Sequence, residues 1–432
     1  MENKQYPRIG ETLYSATLPN GLRLRVLCKP EYNRSFAMFA TNYGGGDRRF
    51  RLGDEWIDTP AGVAHFLEHK MFDMPNGDDA LTTLSANGAE PNAFTSSDIT
   101  AYYFECTQDF EENLRTLLRF VTTPYFTPES VEKEQGIIGQ EIRMGEDDPD
   151  YAVYVNLMQC LYAHNPIRES VAGTVESIAE ITDETLYACH KVFYNPSNMA
   201  LCVVCPISPD RVEEIARKML PDTPGPVPEI DYGAAEDLLP CAAQHRVAME
   251  VSAPQFLLGA KVQRAPQGLP LLRQKLVGEL ALRALTGRAS AFYNDLYREG
   301  LLTEDFGADL DYSAGVATIL AGGESRDPDR VLARLNEAVA QVRKQGFDPA
   351  AFDRTRRAAY GSWLRSLDRF EGLCVDLVDS VFGDYPLFEL FGLLSEITPE
   401  ECAAFVAEAL APDRIALSVI DPARRQDGLV PF

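Results

Sequence analysis

The chain has 432 residues, of which 65 are acidic and 40 are basic, so its formal net charge is −25. Nucleic acid and anionic membrane surfaces repel such a protein, and we expect neither as a partner. The hydrophobic content of 45% is that of an ordinary globular protein, but the length exceeds one compact core, so two or more domains are expected.

Apolar runs and cysteines in the sequence indicate the cellular compartment. No apolar run approaches the roughly 20 residues that cross a bilayer, and the first residues lack the basic-then-apolar pattern of a signal peptide. The nine cysteines are odd in number and irregularly spaced, which predicts a reducing, cytoplasmic environment. Cys202 and Cys205 have the spacing of a redox pair. They fall in an apolar run that predicts a buried strand, so we interpret both as core residues.

The first forty residues predict strands. Asn20-Gly21 separates two alternating runs, residues 11–18 and 22–28, and predicts a hairpin between them. Residues 35–41 predict another strand. Residues 44–46 are three glycines, but charged residues follow them instead of the Lys-Ser/Thr and helix of a phosphate-binding loop. They therefore predict an ordinary loop.

The next helix carries the candidate chemistry. Residues 64–69 read Ala-His-Phe-Leu-Glu-His, an inverted His-x-x-Glu-His motif, and the helix is predicted to begin near Thr59-Pro60. Positions four apart lie one turn above each other, so His65 and His69 can offer ring nitrogens to one cation. Glu68 lies near the same face and can reach a water held by that cation. Two neutral imidazoles and an oxygen ligand are typical of zinc.

A third protein ligand must come from another element, because two histidines leave a catalytic zinc one ligand short. The chain first passes through a short helix, a strand and an amphipathic helix, predicted over residues 78–86, 99–104 and 110–121. Pro128 then opens a longer helix that carries Glu134 and Glu141, which are seven residues apart and share a face. One glutamate can bind the metal while the other orients a histidine, and the pattern leaves that assignment open.

The middle of the chain separates two similar halves. Residues 221–240 are rich in proline and predict an extended linker. Residues 196–203 resemble residues 412–419 at an offset of 412 − 196 = 216, and two further short matches, at offsets of 216 and 221, keep the same order. We therefore expect an α+β fold of two homologous domains, residues 1–220 and 241–432. Each has a mixed or antiparallel sheet packed by helices, in a clamshell-like arrangement.

The chemistry is expected in the first half only. No histidine follows His245, and the position that matches Glu141 at the offset of 221 is Ser362. The second half therefore lacks the residues for a site of this kind.

Residues 62–69, 92–95 and 134–141 resemble, in order and spacing, the insulinase/pitrilysin family of zinc peptidases. The likeness looks closest to shorter bacterial members that are similar to the mitochondrial processing peptidase. The resemblance implies one zinc ion per chain, bound by His65, His69 and Glu141. It also implies that Glu68 is the general base, that Glu134 supports catalysis as a carboxylate behind a ligand, and that substrate is bound by Asn92, Ala93 and Phe94.

The resemblance implies a zinc-dependent endopeptidase that cleaves peptides or small unfolded proteins, held as an added β-strand in an enclosed chamber. Two alternatives remain open: a non-hydrolytic, chaperone-like peptide-binding subunit, and a zinc hydrolase of a non-peptide substrate. One departure concerns the grip on substrate. Many relatives carry an arginine and, seven residues later, a tyrosine, whereas this chain has Leu296 at the arginine position and no tyrosine between Gly300 and Asp311. We therefore expect a related second subunit in a heterodimer, or a homodimer.

Overall fold

The computed structural model describes residues 1–75 and 77–423. The strands of the first half are β1 (Glu2–Tyr6), β2 (Glu11–Thr17), β3 (Arg23–Cys28), β4 (Ser35–Thr41), β5 (Arg49–Leu52), β6 (Glu55–Asp58), β7 (Ala89–Thr95), β8 (Thr100–Cys106) and β9 (Met199–Cys205). Its helices are α1 (Val63–Lys70), α2 (Ala80–Ala86), α3 (Phe110–Thr122), α4 (Pro128–Glu146), α5 (Pro149–Leu161), α6 (Val175–Ile178), α7 (Asp183–Phe193) and α8 (Pro209–Met219).

The first half is built on a seven-stranded sheet with the order β1-β2-β3-β9-β4-β8-β7. Its neighbours are antiparallel except for β3 and β9, which are parallel. The predicted hairpin is confirmed as β2 and β3, with Leu13 opposite Leu27. Every residue of β4 and β9 is buried, so both faces of the sheet are covered. Successive residues serve opposite faces: Phe39 packs in the core with α1 and α3, whereas Met38 faces the second half.

The second half repeats this plan on a five-stranded sheet with the order β11-β15-β12-β14-β13. Its strands are β11 (Gln244–Met249), β12 (Gln255–Val262), β13 (Gly307–Asp311), β14 (Ala317–Glu324) and β15 (Ile415–Pro422), and β10 (Glu229–Ile230) precedes them. Its helices are α9 (Leu269–Thr286), α10 (Ala291–Arg298), α11 (Pro328–Gln345), α12 (Pro349–Ser366), α13 (Phe370–Phe382), α14 (Leu390–Glu396) and α15 (Pro399–Ala409). The expected α+β class with two homologous halves is confirmed.

Each half places one helix on the sheet of the other. Helix α5 of the first half packs on β12 and β15, and helix α13 of the second half packs on β4 and β9. The two helices begin 370 − 149 = 221 residues apart and end 382 − 161 = 221 residues apart, so they are equivalent members of the repeat. Gly259 of β12 lies under α5, where a Cβ would come within 2.8 Å of the Leu157 side chain. Through this exchange, each half packs one of its helices against the sheet of the other half.

Two sequence predictions of where helices begin need correction. The motif helix begins at Val63 and not near Thr59-Pro60, because Gly62 has φ +96° and ends the preceding turn. A Cβ on Gly62 would lie 2.5 Å from a carbonyl of the 171–174 loop, so glycine is needed there. The short helix predicted from residue 78 begins at Ala80, since the Asp79 side chain caps its first amides.

The linker at residues 221–240 is more firmly held than an extended spacer. It contributes β10, which pairs with β5 in a three-stranded sheet completed by β6. Farther along, the Glu236 carboxylate accepts hydrogen bonds from the backbone amides of residues 163–165. The sequence did not reveal these attachments, because both depend on partners far away in the chain.

Two smaller expectations concern the membrane and the cysteines. Within residues 1–75 and 77–423, no helix combines the length and apolarity needed to cross a membrane. All nine cysteines are free thiols. Cys202 and Cys205 are buried on β9 and belong to different cores, one on each face of the sheet, so their interpretation as core residues is confirmed.

Candidate metal centre

Helix α1 directs three side chains toward one cleft. Phe66 and Leu67 are fully buried in the core of the first half, which anchors one side of the helix. His65, Glu68 and His69 lie on the other side and are partly buried. The two imidazole rings have their centroids 4.6 Å apart. This arrangement follows from the helical spacing that the motif predicts.

Helix α4 brings Glu141 to the two histidines. Its Oε1 lies 3.6 Å from Nε2 of His65, and its Oε2 lies 3.5 Å from Nε2 of His69. One donor atom from each of the three residues lies within 4.8 Å of the others. A tetrahedral zinc ion with bonds of about 2.0–2.1 Å separates neighbouring donor atoms by about 3.3 Å, so these side chains fit a zinc ion. They would hold it as two imidazole ligands and one carboxylate.

Glu134 lies behind His69 on the same face of α4. Its Oε1 is 3.0 Å from Nδ1 of His69, and its Oε2 is 3.9 Å from the ammonium of the buried Lys70. A carboxylate at this position holds the histidine proton on Nδ1 and leaves the Nε2 lone pair for a metal. The two glutamates that the pattern could not distinguish therefore occupy different positions. Glu141 lies with the two candidate ligand histidines, and Glu134 lies behind one of them.

Burial and neighbouring charges set the protonation of the site. Burial, with His69 nearby, lowers the pKa of His65 to about 4. Burial acts in the same direction on His69, but the hydrogen bond to Glu134 and the charge of Glu141 outweigh it and raise the pKa of His69. Burial raises the pKa of Glu68 above its usual value. His65 is therefore uncharged at neutral pH, the form that binds metal, and the environment of Glu68 suits a general base.

Thr95 holds the candidate base, a role that was not predicted from the sequence. Its hydroxyl donates a hydrogen bond of 2.6 Å to Oε2 of Glu68, which fixes the direction of that carboxylate. The strand pattern contained the signal. Residues alternate between the two faces of a strand, so Thr95 of β7 shares with Ala93 the face toward α1, while Asn92 and Phe94 lie on the other face.

The residues expected to bind substrate lie on an exposed sheet edge. Strand β7 ends the seven-stranded sheet and pairs only with β8 within the described part of the chain. Asn92 is exposed, and its side chain accepts a hydrogen bond from the amide of Ala93. Phe94 packs against the core that faces the second half, and Ala93 packs against the core of α1. The edge thus begins beside Glu68 and leads away from it, and its outer side pairs with no other strand among residues 1–75 and 77–423.

Family models cover most of the chain. Residues 57–175 match the model of the insulinase family, peptidase family M16, and residues 180–359 match the model of the peptidase M16 inactive domain. The uncharacterized zinc protease YmfH of Bacillus subtilis is 36% identical over 423 residues, which are 97% of this chain and 98% of that protein. The chain belongs to peptidase family M16.

Solved structures agree with this M16 assignment. A putative M16-like peptidase from Alicyclobacillus acidocaldarius has a TM-score of 0.92 at 34% identity, over 97% of this chain and all of that one. The periplasmic protease PqqL from Escherichia coli has a TM-score of 0.76 at 16% identity, over 98% of this chain but only 48% of its own. The M16 chain therefore has the fold of one half of that longer protein.

Ser362, which matches Glu141 in the repeat, lies beside an ion pair in the second half of this M16 chain. Ser362 lines a cavity of about 770 Å³ together with Glu279 and Arg283 of α9. Those two side chains lie 2.8 Å apart, and the indole of Trp363 donates to Glu279 at 3.0 Å. The cluster of His65, His69 and Glu141 is the only group of metal donors found among the described residues.

The structure also shows which residue occupies the position of the expected substrate-binding arginine. Leu296, at the position of the expected arginine, is fully buried in α10 as part of the core of the second half. It therefore presents no polar group to a substrate. This M16 chain therefore has an apolar residue at the position where the resemblance led us to expect an arginine.

Proposed function

We propose that this chain is a zinc-dependent endopeptidase, with one zinc ion per chain, that hydrolyses peptides or small unfolded proteins. The observation that carries the proposal is the convergence of His65, His69 and Glu141, with the carboxylate of Glu68 one helical turn from His65 and held by Thr95. The relatives described as zinc proteases support the same activity.

The roles of the protein side chains follow from their positions. A zinc ion, when bound, lowers the pKa of a coordinated water and polarises the peptide carbonyl. Glu68 accepts a proton from the attacking water and delivers it to the nitrogen of the leaving amine. Thr95 keeps the carboxylate in the direction needed for both transfers. Glu134 keeps Nε2 of His69 available as a ligand by accepting a hydrogen bond from Nδ1.

The substrate binds as an added strand along β7. The unpaired edge offers backbone donors and acceptors to an extended peptide, and Asn92, Ala93 and Phe94 provide the first contacts beyond the metal. A folded protein cannot offer a free extended segment to this edge. The preferred substrates are therefore short or unfolded chains.

A second chain completes the site. The Glu141 side chain is 51% exposed, so the ligand side of the cleft is open, and an open cleft does not exclude water. The fold matches only half of PqqL, and Leu296 leaves the grip on substrate incomplete. We propose a related subunit or a second copy as the cover. Activity per chain is then expected to fall on dilution, in step with dissociation measured by sedimentation velocity.

The compartment follows from the cysteines. All nine are free, and eight of them are at least partly shielded, with Cys241 exposed. Disulfides are rare in reducing compartments, so we propose a cytoplasmic location. Trapping the thiols in intact cells with a membrane-permeant alkylating reagent checks this: full alkylation after unfolding supports it, and native disulfides contradict it.

A peptide-library assay with and without a chelator tests the proposed function. Cleavage that stops with chelator and with Glu68→Gln supports the endopeptidase. Tight peptide binding without cleavage, in the presence of bound zinc, supports a non-hydrolytic subunit and overturns the proposal. Zinc binding with neither cleavage nor peptide affinity indicates a hydrolase of another substrate class and overturns it as well.

A further inference from the structure

The three glycines have no part in the chemistry proposed above, yet their backbone supports the segment that follows Thr95. We call residues 44–47 the glycine loop and residues 96–98 the serine turn. The amides of Gly45 and Gly46 donate to two carbonyls of the serine turn at 2.9 and 2.8 Å. A Cβ on the first glycine of the loop would lie 2.3 Å from the backbone of the turn. Only glycine permits this approach, so loop and turn are held as one unit.

The glycine loop is closed by a buried carboxylate. Asp47 is only 3% exposed, and its two oxygens accept separate hydrogen bonds. Oδ2 accepts from the amide of Gly44 at 2.8 Å, within the loop. Oδ1 accepts from the hydroxyl of Tyr232 at 2.8 Å. The second donor belongs to the linker and lies 185 residues away in the chain.

The ring of Tyr232 packs against the second half. Its ring lies so close to Gly315 that a Cβ there would approach within 2.8 Å. The neighbouring Ala314 lies 3.1 Å from where a Cβ on Gly46 would be. Its carbonyl accepts a hydrogen bond of 3.0 Å from the Asn165 side chain. This one tyrosine of the linker therefore contacts both the first half and the second half.

We propose that Tyr232 and Asp47 are positioning residues for the general base, Glu68. The contacts form a continuous path: Tyr232 to Asp47, the glycine loop to the serine turn, and Thr95 to Glu68. The path links the linker to the reacting carboxylate, so the placement of the base depends on the seating of the second half. This inference rests on the proposed function, because it needs Glu68 to act on a substrate.

The expected effect appears in turnover and not in substrate affinity. Removing the Tyr232 hydroxyl frees one oxygen of Asp47, loosens the glycine loop and lets the serine turn shift. Misplacement of a catalytic group by about 1 Å can cost roughly 100-fold in rate, and a partial shift is expected to lower kcat about tenfold. The substrate edge at Asn92 and the zinc ligands are outside the path. KM and zinc content should therefore stay unchanged.

The test uses Tyr232→Phe, with Tyr293→Phe as the matched control. Tyr293 also donates through its hydroxyl to one acceptor, the carbonyl of Thr303 at 3.3 Å, but it lies in the second half away from the path. The expected result is a lower kcat with constant KM for Tyr232→Phe and no change for the control. Wild-type kcat in an active Tyr232→Phe enzyme overturns the inference, whereas an inactive wild type overturns the proposed function instead.

A double-mutant cycle separates positioning from a general loss of stability. If the path acts through Thr95, Tyr232→Phe lowers kcat in the wild type but adds nothing in a Thr95→Val background. If the two substitutions lower kcat independently, so that their effects multiply, the path does not act through Thr95. In Asp47→Asn, the side-chain oxygen can still accept from the Gly44 amide, and the side-chain NH₂ can donate to the Tyr232 hydroxyl oxygen. This variant should therefore retain more turnover than Asp47→Ala.

Hydrogen exchange provides a readout that needs no activity. The amides of Gly45 and Gly46 are expected to exchange faster in Tyr232→Phe than in the wild type, because their bonds to the serine turn weaken. Unchanged exchange at both amides shows that the hydroxyl does not hold the loop and contradicts the proposed path.

Discussion

Replacing Glu134 with glutamine tests how α4 prepares His69 for a metal. The pKa of Glu134 is lowered: burial acts to raise it, but the hydrogen bond with His69 and that residue's charge outweigh burial. The group is therefore ionised at neutral pH and accepts from Nδ1 over 3.0 Å. Glutamine keeps the shape and loses the charge. Loss of a carboxylate behind a histidine ligand lowers metal affinity about 10- to 100-fold, which corresponds to about 1.4–2.8 kcal/mol.

The assay is a competition titration against a chromophoric zinc chelator at fixed pH. Glu132→Gln is the matched control, because Glu132 lies on the same helix, is exposed and carries the same charge. Its zinc affinity should equal that of the wild type. The reasoning is refuted if Glu134→Gln binds zinc as tightly as the wild type. It is also refuted if the control loses as much affinity as Glu134→Gln.

Three further predictions concern the base, the ligands and pH. Glu68→Gln should lower kcat about 10²- to 10⁴-fold with unchanged zinc content by elemental analysis, and retained turnover would reject the base. His65→Ala and Glu141→Ala should each reduce bound zinc well below one per chain after dialysis, and a full complement would reject the ligand set. Burial, with Asp379 nearby, raises the pKa of Asp376 to about 7. The folded state thus keeps a proton that the unfolded state releases, and stability falls as the pH rises toward 7. The gain in Tm from Asp376→Asn should be larger at pH 8 than at pH 5, and equal gains would contradict this.

The sequence predicted what depends on local geometry. The spacing of His65, Glu68 and His69 on one helix follows from 3.6 residues per turn, and the spacing of the two glutamates on α4 follows from the same rule. The repeat was visible because α4 and α12 keep an offset of 349 − 128 = 221 residues. In each case the pattern and its structural consequence lie within one element or one repeat.

The remaining features depend on contacts between distant segments. The different positions of Glu134 and Glu141 relative to His69 depend on how α4 packs on α1, which periodicity does not specify. The exchange of α5 and α13 between the two sheets also depends on contacts between distant segments. An apolar face predicts that a helix is buried, but it does not specify which sheet the helix packs on. The start of α1 depends on the positive φ of Gly62 and its contact with the 171–174 loop. The bond from Tyr232 to Asp47 joins two segments that no local pattern connects.

The most direct test of the account is a zinc titration of chelator-stripped protein, with cleavage of an unstructured fluorogenic peptide as the readout. Activity is expected to rise linearly with added zinc and to level off at one equivalent per chain. Full activity in the stripped protein would contradict the account. So would one tightly bound zinc ion per chain that restores no cleavage, measured at concentrations at which the chain is fully assembled with its partner.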